Sequence, residues 1–277
     1  MFGVGASELE RRVARGLPTE EAVQPASDFD VVIPARNEES TVGGVVRAAL
    51  ATRGVGRVVV VDDGSSDGTA AAARAAGAEV FPARPAGAPA GDKGRALERG
   101  MAATAGTSCA VVVFFDADIV GAQPLHFTAL AAPVLAGEAM LSCGIVDYGP
   151  WRNPWFLRLP PITGLRALPR RIFEAVEPAR RTGFRIEIMV NEVVARGNLP
   201  SAIRVLAGLT HRSKIDKIGW RAGSTAHLRM TGELLGCLRT VPLWTYGAYL
   251  RRLSVLPPAG QAAPELLTLA GSGHPLP

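Results

Sequence analysis

The sequence predicts an α/β fold in which helices flank a mostly parallel β-sheet. Three runs, residues 31–34, 57–61 and 110–115, are almost continuously apolar, as expected of strands that are buried on both faces. Segments with helical spacing separate these runs, an alternation typical of crossover connections between parallel strands. A content of 48% hydrophobic and 20% charged residues in a chain of 277 fits a globular protein with a sizeable core.

The first half of the chain alternates regularly between strands and helices. Helical spacing predicts helices at residues 41–53, 69–76 and 93–105, and residues 79–81 form a further short strand. The second half is less regular. There the pattern predicts a strand at 140–146, an arginine-rich helix at 164–176, a helix at 186–196 and a mostly helical segment at 213–253.

These patterns divide the chain into four parts. Residues 1–26 are expected to form an N-terminal extension, and residues 27–120 the α/β half of a single domain. Residues 121–254 would supply the more helical half of the same domain. The proline-containing residues 255–277 are expected to be a flexible tail.

The cysteine content and the hydropathy indicate a cytoplasmic protein. Cys109, Cys143 and Cys237 are odd in number and lack CxxC spacing, which argues against a disulfide framework or a zinc ribbon. No run approaches the roughly 20 apolar residues of a spanning helix, and the N-terminus lacks the apolar core of a signal peptide. The net charge of +5 favours anionic partners, but no nucleic-acid-binding motif accompanies it, so nucleic acid is not expected as a partner.

Three polar segments directly follow predicted strands: residues 34–39, residues 62–69, and Asp116-Ala117-Asp118. Open α/β sheets bind ligands beyond the carboxyl ends of their strands, so these segments should meet at one edge of the sheet. Both carboxylates of the third segment can reach one cation, and oxygen ligands of this kind suit Mg²⁺ or Mn²⁺. Lys93, in Gly91-Asp92-Lys93-Gly94, opens a helix where a phosphate group could bind. The alternative for Lys93 is an ordinary surface lysine.

In order and spacing, these four motifs resemble those of the family 2 glycosyltransferases, including the phosphoglycerate-directed glucosyl and mannosyl synthases. The resemblance implies a GT-A fold, Rossmann-like, with a helical C-terminal acceptor region. It implies that the segment containing Pro34, Ala35, Arg36 and Glu38 lines the nucleoside pocket, with Glu38 on the ribose. It further implies that Asp63 contacts the base and Lys93 the diphosphate. Asp118 would be the principal metal ligand, and Asp116, with Ala117 between them, would lie at the ribose or the metal.

Two features of the second half extend the resemblance. Residues 183–187 are similar to a segment near the acceptor and sugar in the phosphoglycerate-directed enzymes, which makes Glu187 a candidate for sugar binding or for the catalytic base. The alternative for Glu187 is an acid that only stabilises a helix start. His211 resembles the histidine that completes the metal site, with a surface residue as the alternative. Leu209 stands where an arginine often occurs, which departs from the phosphoglycerate-directed pattern.

The resemblance implies a metal-dependent glycosyltransferase that moves a hexosyl group from a UDP- or GDP-sugar to a small anionic or phosphorylated acceptor. Asp118 and Glu187 would take part in catalysis. No pair of acids stands where an inverting enzyme often carries its base, which favours retention of configuration. The alternatives are a polyprenyl-phosphate glycosyltransferase at a membrane surface, a sugar-phosphate nucleotidyltransferase, and an inactive nucleotide-sugar-binding module.

Three further features leave their interpretation open. Six arginines between residues 166 and 185 could form an acceptor site, a surface facing lipid headgroups, or a solvated helix face. Trp151 and Trp155 are favoured as anchors of an apolar core, with an acceptor lid as the alternative. The leucines of the C-terminal helical segment could pack on the core, on a second copy in a homodimer, or on a membrane in a peripheral contact.

Overall fold

A computed structural model describes residues 27–84, 91–158, 161–183, 185–211 and 243–259. The expected N-terminal extension, most of the segment at 213–253 and residues 260–277 of the expected tail lie outside the described residues.

The described chain contains ten strands and eight α-helices. The strands are β1 (Phe29–Ala35), β2 (Val55–Asp62), β3 (Glu79–Pro82), β4 (Val111–Phe114), β5 (Ile119–Val120), β6 (Leu141–Val146), β7 (Arg166–Pro169), β8 (Ser201–Leu206), β9 (Thr210–His211) and β10 (Leu253–Val255). The helices are α1 (Val42–Leu50), α2 (Thr69–Ala75), α3 (Lys93–Ala103), α4 (Pro124–Leu135), α5 (Asn153–Phe156), α6 (Arg170–Glu174), α7 (Arg185–Arg196) and α8 (Leu243–Arg251).

Eight strands form one sheet in the order β10-β8-β6-β7-β4-β1-β2-β3. All pairs are parallel except those of β7, which runs antiparallel to both β4 and β6. The predicted α/β fold with a mostly parallel sheet is therefore confirmed. A separate two-stranded sheet pairs β5 with β9 and brings Ile119 opposite His211.

The valine-rich strands have an apolar layer on each side. In β1, Val32 packs with α3 and α7, whereas Val31 and Ile33 pack with α1 and α4 on the opposite face. All three side chains are fully buried, which explains why the strand shows no polar alternation. On α1, the buried residues Val42, Val45, Val46 and Ala49 follow the spacing of one helix face.

The arginine-rich helix expected at 164–176 is wrong in its first half. Residues Arg166–Pro169 form β7, and only Arg170–Glu174 are helical. The spacing of the apolar residues Leu165, Leu168 and Ile172 is typical of one helix face. The first part of this segment nevertheless pairs with β4 and β6 and is buried inside the sheet. Pro169 stands at the junction, directly before the first residue of α6.

Several elements of the second half were not predicted. Helix α4 covers one face of the sheet, and at its start the backbone N–H of Gln123 donates to Nδ1 of His126 at 3.1 Å. Strand β10 pairs with β8, and Ala259 forms a bridge with Leu206. The boundary expected for the tail at residue 255 therefore falls inside a strand. Within the described ranges, no helix has the length and apolar character that would let it cross a membrane.

Candidate active site

Hydrogen bonds join the loops that follow β1 and β2 to each other. The backbone N–H of Asn37 donates to Oγ of Ser65 at 3.0 Å, and the N–H of Ser66 donates to Oδ1 of Asn37 at 2.9 Å. The N–H of Glu38 donates to Oγ1 of Thr69 at 2.8 Å. Asn37 has a φ of 56°, a left-handed conformation that asparagine tolerates better than most residues. These contacts make one structural unit of the two predicted donor loops.

The residues expected to line the nucleoside pocket lie in this unit. Ala35 and Glu38 are buried, Pro34 is half-buried and Arg36 is exposed. Arg36 extends towards Gly91, the first described residue of the lysine-containing motif. The two donor loops and the lysine-containing motif thus lie together near the carboxyl ends of β1 and β2. The individual contacts of these residues with a nucleoside stay predictions.

Asp63 holds the lysine-containing motif against the end of β2. Its carboxylate accepts hydrogen bonds from the backbone N–H groups of Gly91 at 2.8 Å and Asp92 at 2.7 Å, and it pairs with Arg84. The side chain is 7% exposed. The observed contacts give Asp63 a positioning role, and its expected contact with a nucleotide base stays a prediction.

Asp92 connects the start of α3 to the segment before α7. Its Oδ1 accepts from the N–H of Arg95 at 3.1 Å, which caps α3, and from the N–H of Gly183 at 2.7 Å. Gly94 allows the two segments to approach, because a Cβ there would overlap the backbone of Arg181. This close approach places Lys93 within reach of Glu187 on α7.

Lys93 lies between two carboxylates. Its Nζ is 2.6 Å from Oδ1 of Asp116 and 2.8 Å from Oε1 of Glu187, and all three side chains are at most 20% exposed. Burial disfavours the ammonium, but the two carboxylates outweigh it and raise the pKa of Lys93 above its ordinary value. The interpretation of Lys93 as a surface lysine is therefore wrong. Glu187 does lie in the first turn of α7, and its side chain also belongs to this buried cluster.

The two acids of the cluster have opposite pKa shifts. Burial raises the pKa of Asp116, and repulsion by Asp118 and Glu187 adds to the rise despite the attraction of Lys93. Burial also acts to raise the pKa of Glu187, but Lys93 and Arg166 together bring it below its ordinary value. Glu187 is thus held in its ionised form.

Asp118 and His211 approach each other at the β5–β9 pairing. Nδ1 of His211 lies 3.5 Å from Oδ1 of Asp118, and this contact raises the pKa of His211 against the effect of burial. The carboxylate of Asp118 is an oxygen ligand of the kind that Mg²⁺ and Mn²⁺ prefer, and diphosphate oxygens could fill further positions. Among the described residues, no three His, Cys, Asp or Glu side chains are grouped as a ready metal site. The assignment of Asp116, Asp118 and His211 as ligands stays a prediction.

Gly164 is a site residue that the sequence analysis missed. It packs directly against the carboxylate of Asp116, and a Cβ at this position would overlap both carboxylate oxygens. Because Phe114 pairs with Arg166, the residues just before β7 lie next to those just after β4. A lone glycine ahead of a strand carries no signal in the sequence, since only the pairing of β7 with β4 gives it this neighbour.

The arginine-rich region does not form one surface. Arg166 is buried inside the sheet, Arg170 pairs with the buried Asp30, Arg180 pairs with Glu192, and Arg181 pairs with Glu98. Because Arg166 and Arg170 are buried or nearly so, they belong to no common acceptor site, lipid-facing surface or solvated helix face. Arg180 is 42% exposed, so a solvated position is not contradicted for it.

The two loop tryptophans are exposed. Trp151 is 88% and Trp155 75% exposed, so the favoured interpretation that they anchor an apolar core is wrong. Tyr148 stacks on Phe156 in the same loop, with ring centroids 4.6 Å apart. Strands β4 and β6 both run antiparallel to β7, so the loop that follows β6 leaves the sheet at the same edge as Asp116 and Asp118. Burial raises the pKa of the Tyr148 hydroxyl, and the charge of Asp118 adds to the rise.

Comparisons with known proteins agree with this geometry. A model described as glycosyl transferase family 2 matches residues 30–189. A glucosyl-3-phosphoglycerate synthase of Mycobacterium tuberculosis is 38% identical over 131 residues, which is 43% of this chain and 38% of that protein. One of Mycolicibacterium smegmatis is 38% identical over 125 residues, 43% of this chain and 40% of the relative. The matched part therefore spans about two fifths of the length of these curated relatives.

Solved structures of the Mycobacterium tuberculosis synthase share the fold. The complex with Mn²⁺, UDP-glucose and phosphoglyceric acid is 28% identical, has a TM-score of 0.55, and is matched over 77% of this chain and 78% of that chain. The complex with Mg²⁺ and UDP has a TM-score of 0.56 and is matched over 77% of each chain. The expected GT-A-like fold is thereby confirmed.

Proposed function

The chain belongs to glycosyl transferase family 2, and from this premise we propose that it transfers glucose from UDP-glucose to 3-phosphoglycerate with the help of Mn²⁺ or Mg²⁺. One observation carries the proposal. Lys93, Asp116 and Glu187 come from three separate elements and meet in one buried cluster, next to the pair formed by Asp118 and His211. The similarity to the two mycobacterial synthases supports UDP over GDP, and a phosphoglycerate over other anionic acceptors.

On the donor side, the joined loops after β1 and β2 would hold the nucleoside. Glu38 is buried there and its backbone is fixed by Thr69, which suits a residue that orients a ribose. Asp63 fixes the backbone at Gly91 and Asp92, directly before Lys93, which would bind the diphosphate. A preorganised cation at that point stabilises the charge that develops on the leaving UDP.

Asp118, His211 and Asp116 would hold the divalent cation, and Lys93 would contact the diphosphate. A bound Mg²⁺ or Mn²⁺ supplies further charge stabilisation for the diphosphate leaving group. Asp116 and Lys93 form an ion pair, so the site contains both an anion and a cation, which could bind the metal and the diphosphate respectively.

We assign Glu187 to sugar binding and not to proton abstraction. A general base that works near neutral pH gains from a raised pKa, whereas Lys93 and Arg166 keep the pKa of Glu187 low. An ionised, buried carboxylate is a strong acceptor for sugar hydroxyl groups. Asp116, the one acid of the cluster whose pKa is raised, is assigned to the metal. With both acids thus assigned, no separate base remains in the cluster, which favours retention of configuration at the transferred carbon.

The acceptor would bind on the far side of β4 from the donor loops, near residues 161–164. Leu209 is fully buried in the core, so this position offers no charge to an acceptor phosphate, and other residues must supply it. The nucleotidyltransferase and the inactive-module alternatives gain no observation in their favour. A lipid-phosphate acceptor stays an alternative, because Trp151, Trp155 and the exposed Arg152 lie on the loop beside the site.

Calorimetric titration of UDP and GDP, each with and without Mn²⁺, tests the donor half of the proposal. We expect metal-dependent binding of UDP that Asp118→Asn weakens at least tenfold. Glu79→Gln, an acid on the distant edge strand β3, is the matched control and should leave UDP binding unchanged. Preference for GDP, or metal-independent binding in the wild type, would contradict the proposed donor.

A further inference from the structure

Among the residues that the structure describes, Arg166 is one of the largest fully buried side chains, and it lies in the middle of the sheet. It is 1% exposed, although a guanidinium loses much hydration when it leaves water. Its hydrogen bonds go to backbone carbonyls: Nε donates to Thr163 at 2.8 Å, and the two terminal nitrogens donate to Glu187 at 3.2 Å and to Pro161 at 3.4 Å. A leucine or valine could occupy this position in the sheet at a lower cost in desolvation free energy. We therefore look for a role of Arg166 in fixing the positions of its hydrogen-bond partners, in addition to its contribution to stability.

The carbonyls that Arg166 binds belong to two different walls of the site. Pro161 and Thr163 precede Gly164, which packs against the carboxylate of Asp116. Glu187 lies in the first turn of α7, and its side chain pairs with Lys93. The fork of one guanidinium therefore sets the distance between residues 161–163 and the carboxylate that faces the cluster.

Two neighbouring contacts strengthen the same connection. Nδ2 of Asn191, one helical turn after Glu187, also donates to the carbonyl of Pro161, at 2.8 Å. The hydroxyl of Thr163 donates to the carbonyl of Gly144 on β6 at 2.8 Å. The segment at 161–163 is thus attached to α7 by two buried side chains and to β6 by one.

We propose that Arg166 is a positioning residue that holds residues 161–163 and Glu187 together as the sugar- and acceptor-facing wall of the site. The donor loops follow β1 and β2 on one side of β4, whereas β7 lies on the other side. Arg166 therefore acts on the sugar and the acceptor and not on the nucleoside. The inference rests on the proposed donor, since it assigns the site of the transferred sugar.

The test compares the affinities for UDP and for UDP-glucose, both with Mn²⁺, in the wild type, Arg166→Lys and Arg166→Met. We expect the UDP affinity to change less than twofold, because the nucleoside loops are untouched. The UDP-glucose affinity should fall about tenfold in Arg166→Met and less in Arg166→Lys, which keeps the charge but loses the fork. The KM for 3-phosphoglycerate should rise by a similar factor.

Arg170→Met is the matched control, because Arg170 is also a largely buried arginine that follows closely on the chain. Its guanidinium pairs with Asp30 near the opposite edge of the sheet, so its loss should lower the Tm and leave both affinities unchanged. If Arg166→Met does not fold, Asn191→Ala removes the other donor to Pro161 and should also weaken UDP-glucose binding selectively.

The outcomes separate the two proposals. The role of Arg166 is overturned if the folded Arg166 variants bind UDP and UDP-glucose as tightly as the wild type does and the KM for the acceptor is unchanged. That result leaves the proposed function intact. A wild type that binds neither UDP nor UDP-glucose overturns the proposed donor, and the role of Arg166 with it. A selective loss of UDP-glucose affinity in the variants supports the positioning role.

Discussion

Nζ of Lys93 and Oε1 of Glu187 form a buried ion pair of 2.8 Å between residues that are 94 positions apart in the chain. The ion pair links α3, which packs on the donor half of the sheet, to α7, which packs on the other half. Asp116 completes the contact from the end of β4, at 2.6 Å from the same ammonium. Lys93 is thus the shared counter-ion of Asp116 and Glu187.

Replacement of Lys93 by methionine should destabilise the protein and abolish donor binding. Two buried carboxylates would lose their shared cation, and breaking a buried pair in this way costs roughly 3–5 kcal/mol. We expect that loss in the free energy of unfolding at pH 7, measured by urea denaturation.

The loss of stability in Lys93→Met should shrink as the pH falls. Without Lys93 the pKa of each carboxyl lies higher in the folded than in the unfolded state, so the folded state binds more protons at low pH. Lys93→Met combined with Glu187→Gln should recover part of the stability at pH 7. Equal stability of the single and the double variant would show that the two residues do not interact.

Gly164→Ala should damage the site with little change elsewhere. The added methyl group would overlap the carboxylate of Asp116, so this acid or β7 must move. A displacement of about 1 Å at a reacting centre lowers the rate by about 10²-fold, and we expect a loss of that order in kcat/KM. Gly44→Ala is the control, because a Cβ there meets no atom within 4 Å. It lies inside helix α1 and should raise stability by about 0.5–1 kcal/mol without affecting turnover.

Cys109 and Cys143 should resist alkylation in the native protein. Burial raises the pKa of both thiols to about 11, so only about one thousandth of each is thiolate at pH 8. In a Cys237→Ser variant treated with iodoacetamide, mass spectrometry should find both cysteines unmodified at pH 8 and labelled after denaturation. Fast native labelling of either thiol would contradict the packing around it.

Trp151→Ala and Trp155→Ala test whether the exposed aromatic loop acts as an acceptor lid. Exposed side chains contribute little to folding, so the free energy of unfolding should change by no more than about 0.5 kcal/mol. A tryptophan packed in a core would cost about 3–5 kcal/mol instead. An acceptor lid would appear as a higher KM for the acceptor with an unchanged affinity for UDP.

The first half of the fold was predictable because its signals are local. Valine-rich strands, helical spacing and strand-end polar motifs define β1 to β4 and bring Lys93, Asp116 and Asp118 to one edge of the sheet. The same reasoning failed at Arg166–Pro169, where spacing typical of a helix belongs to a strand. Antiparallel insertion of β7 between β4 and β6 is a long-range event, and no local pattern in this segment reports it.

The same limit applies to the site. The ion pair between Lys93 and Glu187 depends on Gly94 and Asp92, which let the segment before α7 approach α3. The burial of Arg166 and the contact of Gly164 with Asp116 also depend on tertiary pairing. The residue types were enough to predict the chemistry of the site. The contact partners of each residue could be identified only once the arrangement of the strands was known.

The measurement that tests the central claim most directly is turnover of UDP-glucose and 3-phosphoglycerate with Mn²⁺, followed by mass spectrometry of the product and by release of UDP. We predict a glucosylated phosphoglycerate formed in equal amount to UDP, dependent on the metal and lost in Asp118→Asn. Release of UDP without the acceptor, or no product from a protein that binds UDP-glucose, would contradict the proposed acceptor. No turnover and no binding would contradict the whole assignment.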